Sequence, residues 1–61
     1  MTSKEIIKLA QDKGWKIKTQ RGSHVKLIHK DFPKPVIIPY HGTKEIPKGT
    51  LNVILKQLGL K

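Results

Sequence analysis

The feature that most constrains this chain is a change of hydrophobic period, from helical to alternating and back, between two glycines. Ile6, Leu9 and Ala10 follow the i, i+3, i+4 spacing of one buried helical stripe. Thr2 or Ser3 can cap that segment, and Thr2 with Glu5 has the spacing of a capping box. Gly14 then supplies the left-handed residue that ends such a helix. The spacing therefore predicts a helix over Ser3 to Asp12. At the other end Leu51, Ile54, Leu55 and Leu58 repeat the helical stripe, and Gly59 stops it. This predicts a second helix from Lys48 or Gly49 to Leu58.

Between these segments the period is two. Trp15, Ile17 and Thr19 alternate with Lys16, Lys18 and Gln20, which reads as a half-buried strand. After the turn Arg21-Gly22-Ser23, a second strand from His24 to His29 puts Val25 and Leu27 on one face. His24, Lys26 and Ile28 then lie on the other. Lys30 to Lys34 reads as a turn into a third strand, Pro35 to Pro39, whose run Val36-Ile37-Ile38 is too uniformly apolar to assign faces. Tyr40 to Pro47 is a connector. The expected fold is α+β, in the order α-β-β-β-α: an antiparallel three-stranded meander with both helices on one face. That arrangement puts Trp15, Ile17, Val25 and Leu27 in the core and leaves Lys16, Lys18, Gln20, His24 and Lys26 on an open, basic face.

Length and composition narrow the class. With 61 residues, one domain spanning 1–61 is expected. A fold this small buries only about 60% of the surface of its unfolded chain. No cysteine is present, so disulfides, thiolate zinc sites and cysteine nucleophiles are excluded together. No apolar run reaches the roughly 20 residues of a membrane span, and the first residues lead into an amphipathic segment instead of a signal peptide. A cytoplasmic protein without membrane association is the expectation.

Thirteen Lys and Arg against four Asp and Glu give a formal charge of +9, a field that attracts polyanions. The same scarcity of acids decides the chemistry. No HxxxH, paired aspartate or EF-hand spacing occurs, and two-metal nuclease chemistry needs converging carboxylates. No metal or other cofactor is expected. RNA carries its own nucleophile, the 2′-hydroxyl, which a histidine can activate as general base. Lysines and turn amides can stabilise the charge that develops on phosphate oxygens. RNA, not DNA, is thus the expected substrate. His24 begins a strand just after a Gly-Ser turn, where backbone can approach a phosphate closely, and its parity puts it among the lysines. His29 shares the parity of Val25 and Leu27 and belongs at the edge of the core. His41 is a possible secondary site residue or a loop cap.

The residues also carry a family resemblance. Gly22-Ser23-His24-Val25-Lys26-Leu27 resembles the Gly-Ser-His motif of HicA-type toxins. The C-terminal half is similar to the same family through Ile38-Pro39-Tyr40-His41, Glu45-Ile46, Gly49-Thr50-Leu51 and Ile54 to Leu60. The stretch from Lys4 to Trp15 matches as well. The resemblance implies a double-stranded-RNA-binding-like fold and an endoribonuclease that cleaves mRNA, an mRNA interferase whose required histidine maps onto His24. It implies a HicB-type antitoxin as protein partner. The expected RNA-contacting set is Lys16, Lys18, Arg21, Gly22, Ser23 and Lys26. The competing reading is a non-catalytic RNA-binding module that uses the same face. A DNA-binding regulator is disfavoured because the whole sheet separates the two helices.

Overall fold

The computed structural model describes residues 1–61. Its elements are α1 (Ser3–Asp12), β1 (Lys16–Arg21), β2 (His24–His29), β3 (Phe32–Pro39) and α2 (Lys48–Gln57). The strands form one antiparallel sheet in the order β1-β2-β3. The expected α+β order and both helix positions are as read from the sequence, and β3 begins three residues earlier than its pattern suggested.

Thr2 is the N-cap of α1. Its hydroxyl accepts the Glu5 N–H (3.2 Å), and its own N–H donates to the Glu5 carboxylate (2.8 Å), so two otherwise unpaired helix-start donors are satisfied. The backbone hydrogen bond from Thr2, and secondarily its side chain, hold the Glu5 carboxyl below its ordinary value of 4.5. The buried stripe of α1 is Ser3, Ile6, Ile7 and Ala10, turned slightly from the expected one, with Leu9 half-buried. α2 starts at Pro47 without a side-chain cap and buries Ile54, with Leu58 just beyond its end.

Both stripes pack on one sheet face, against Val25 and Leu27 of β2 and Val36 and Ile38 of β3. Trp15 completes this core, and its indole N–H donates to the Leu58 carbonyl (3.2 Å), joining the two ends of the chain. Around it, Trp15, His29 and Phe32 form a triangle with ring centroids 4.9–5.2 Å apart. These spacings are those of favourable offset and edge contacts. Phe32, assigned to a turn from the sequence, is the first residue of β3 and pairs with His29. Ile46 is also buried, and its N–H bonds the Met1 carbonyl (3.0 Å), which ties the connector to the start of α1.

The one substantive correction concerns β1. Ile17 pairs with Leu27, but the next pair is Thr19 with Lys26, so Lys18 is an unpaired bulge residue. Directly opposed residues of an antiparallel pair share a face. The bulge therefore reverses the alternation that the sequence showed. Thr19 and Arg21 join the open face with Lys26 and His24, whereas Gln20, opposite Val25, turns to the helix side. Ile17 also lies on the helix side but is 43% exposed, since β1 is an edge strand that the helices do not cover. A second irregularity sets Pro33, Lys34 and Pro35 against Ile28 alone. Prolines lack the N–H a regular ladder needs, so this is where they fit.

Candidate active site

His24 opens β2, and three local features fix its position. It pairs with Arg21 on one side and with Pro39 on the other. The turn before it is held from β3, where the Tyr40 N–H donates to the Ser23 carbonyl at 2.6 Å. Gly22 in that turn has a φ of +52°, and no other part of the chain approaches its α-carbon face. The turn backbone is consequently open to a ligand.

The imidazole of His24 is exposed, and with Thr19, Arg21, Lys26 and Ile37 it lines a shallow concavity of about 490 Å³ on the open sheet face. Two cations flank the histidine and no carboxylate lines the surface. An anion placed there meets attraction from Arg21 and Lys26 without an opposing acid. Ile37, 53% exposed, provides an apolar floor beside the charges.

The expected contact set divides in three. Arg21, Gly22, Ser23 and Lys26 are brought together with His24. Lys16 stays on the open face but pairs with Ile28 at the opposite end of the sheet, beside Gly14, His29 and Lys30. Lys18 is displaced into the bulge and does not line the His24 surface. Thr19 and Ile37 were missed. Thr19 is revealed only by the bulge, and Ile37 lay in a run without alternation.

The other histidines differ from His24. The His29 Nε2 contacts the Lys13 carbonyl (3.1 Å), and its Nδ1 accepts the Asp31 N–H (3.0 Å). A carbonyl can only accept and an N–H can only donate, so Nε2 donates, Nδ1 accepts and both ring nitrogens are engaged. His29 is thus a structural side chain at the edge of the core, as its parity indicated. His41 follows β3 by two residues and is exposed. Its N–H donates to the Ser3 Oγ (3.4 Å), and that hydroxyl in turn donates to the Pro39 carbonyl (2.6 Å). Ser3, fully buried, thereby anchors the strand end opposite His24 to α1. The sequence offered Ser3 only as an alternative cap of α1, a role that Thr2 takes. No three His, Cys, Asp or Glu side chains converge as metal ligands would, and no helix is long and apolar enough to cross a membrane.

The fold and this surface define a class: a small basic α+β protein with two helices on one sheet face and a single histidine on the other, cationic face. Comparison with known proteins gives the family. The family described as the HicA toxin of bacterial toxin-antitoxin matches residues 3–60. A protein of Pseudomonas fluorescens (strain Pf0-1) named "Probable mRNA interferase HicA" is 36% identical over 61 residues, which covers 100% of this chain and 98% of that one. The chain belongs to the HicA toxin family, toxins of bacterial toxin–antitoxin systems.

Proposed function

We propose that this protein is an endoribonuclease that cleaves mRNA without a metal ion, with His24 as its catalytic residue. The observation that carries the proposal is the exposed imidazole between Arg21 and Lys26 on a surface that no carboxylate lines. The name of the Pseudomonas relative, an mRNA interferase, supports the same reading.

In this mechanism His24 removes the proton from a ribose 2′-hydroxyl, and the 2′-oxygen attacks the adjacent phosphorus. The bond from phosphorus to the 5′-oxygen breaks, leaving a 2′,3′-cyclic phosphate and a 5′-hydroxyl that takes up a proton. Arg21, Lys26 and the turn N–H groups stabilise the charge on the non-bridging oxygens. The second proton transfer falls to His24 after its protonation, to water, or to His41. An antitoxin of HicB type would neutralise the toxin by covering this face, for which an acidic surface is the natural complement of +9.

Purified His24→Ala protein should lose RNA cleavage by about 10²–10⁴-fold, the range for removal of a general acid–base group. Its circular dichroism should match the parent, because the side chain is exposed. EDTA should leave parental cleavage unchanged. Undiminished cleavage by the variant would refute the role of His24, and loss of activity in chelator would refute the metal-free mechanism. Cleavage of excess RNA by catalytic amounts of protein separates this reading from a non-catalytic RNA-binding module, which yields no product.

A further inference from the structure

The bulge at Lys18 leaves a feature that the His24 surface does not use. It turns Gln20 to the helix side, where Gln20 and Ile17 of β1 face one stripe of α1 formed by Lys4, Ile7, Lys8 and Gln11. With Val25 and Tyr40 these residues line a shallow groove of about 440 Å³. We infer that this groove is a second nucleotide subsite, which takes a base of the single-stranded RNA segment flanking the phosphodiester at His24. This inference rests on the RNA-cleavage reading above.

Four observations support it. First, the groove and the His24 surface are the two sides of the same short segment: Thr19 and Arg21 belong to one, and Gln20 between them belongs to the other. β1 is the sheet edge, so a strand cut at His24 can pass round it without crossing covered surface. Second, Lys4 and Lys8 lie four residues apart on α1, a like-charge spacing unfavourable to a helix, and neither is in an ion pair. No acid lines the groove, so a phosphate would relieve that repulsion. Third, Ile17 and Tyr40 offer apolar and aromatic surface of the kind on which bases stack. Fourth, the Gln11 and Gln20 amides carry both donors and acceptors, and none of the chain's side-chain hydrogen bonds involves them. Such groups, beside the apolar surface of Ile17 and Tyr40, can hydrogen-bond a base edge.

The test uses full-length His24→Ala protein, labelled with nitrogen-15 and titrated with a mixed-sequence ribo-octamer, so that binding is read without cleavage. The Gln11 and Gln20 side-chain amide signals should shift saturably, with the same midpoint as the backbone amides of Arg21 and Lys26. Replacing Lys4 and Lys8 together with alanine should weaken octamer binding about 5–10-fold. It should also lower the salt dependence of log K by about 1.4, at about 0.7 per lost phosphate contact. In protein that retains His24, Gln11→Ala and Gln20→Ala should change which nucleotides flank the cut.

Shifts at Arg21 and Lys26 with none at Gln11 or Gln20 would overturn the subsite and leave the nuclease reading standing. No shift anywhere, together with no cleavage by the parent protein, would overturn both. Lysine variants that bind RNA normally but lose an acidic protein partner would overturn the subsite in favour of a protein-docking groove.

Discussion

Replacing Gly14 with alanine should destabilise the protein by about 2–4 kcal/mol, although the substitution adds only one methyl group at an exposed position. Gly14 has a φ of +99°, and a β-carbon there would lie 2.8 Å from the Nε2 of His29. Left-handed backbone costs an L-residue about 1–2 kcal/mol. The imidazole cannot retreat freely, because it bonds the Lys13 carbonyl and the Asp31 N–H and packs against Trp15 and Phe32. Displacing it forfeits up to two hydrogen bonds at about 0.5–1.5 kcal/mol each. The reduced freedom of the unfolded alanine variant returns about 0.5 kcal/mol.

Gly22→Ala is the internal control. It also has positive φ, but a β-carbon would meet nothing within 4 Å, so only backbone strain remains and the loss should be about 1 kcal/mol. A protein of this length has about 3–9 kcal/mol of stability, so the two variants should be readily distinguished. The assay is urea unfolding followed by the fluorescence of Trp15, the sole tryptophan, and by circular dichroism. With m near 1 kcal/mol/M, the midpoint should fall by about 2–4 M for Gly14→Ala and about 1 M for Gly22→Ala. Combining Gly14→Ala with His29→Ala should cost less than the two single changes added together, because the clash is then absent. Equal losses for the two glycine variants, or strict additivity with His29→Ala, would refute the account.

Two further predictions concern the start of α1. Ser3→Ala leaves the Pro39 carbonyl and the His41 N–H without their partner, and should lower stability by about 1–3 kcal/mol. It should also speed amide exchange at His41; unaltered exchange there would contradict the anchoring role. Because its folded-state pKa is depressed, Glu5 contributes stability that is present above its ordinary value of 4.5 and is lost as pH falls through the lower, folded value. The difference in urea midpoint between the parent and Glu5→Gln should therefore shrink as the pH is taken from 7 to below 4.5, and a constant gap would exclude this linkage.

The sequence alone determined the elements and most of their faces. Period 3.6 at both ends, period two between, and glycines at the helix ends dictate α-β-β-β-α, because these local signals depend only on where side chains point along a helix or strand. The same parity placed Val25 and Leu27 in the core, His29 at its edge and His24 with Lys26 outside, all on β2, whose own alternation survives because the extra residue of the bulge lies in the neighbouring strand β1 and the ladder to β3 is regular from His24 to Leu27. Parity failed on β1. One unpaired residue, Lys18, shifted everything after it by one position, and a bulge has no distinct local signature when every residue nearby is a plausible strand former.

Tertiary structure alone decided the rest. The pairing of strands brought Thr19 and Ile37 to His24, moved Gln20 to the opposite side and carried Lys16 to the far end of the sheet. It also gave Ser3, which the sequence suggested only as a local helix cap, two hydrogen bonds to residues more than 35 positions away. Contacts of that separation depend on how strands register and helices pack, which local periodicity does not encode.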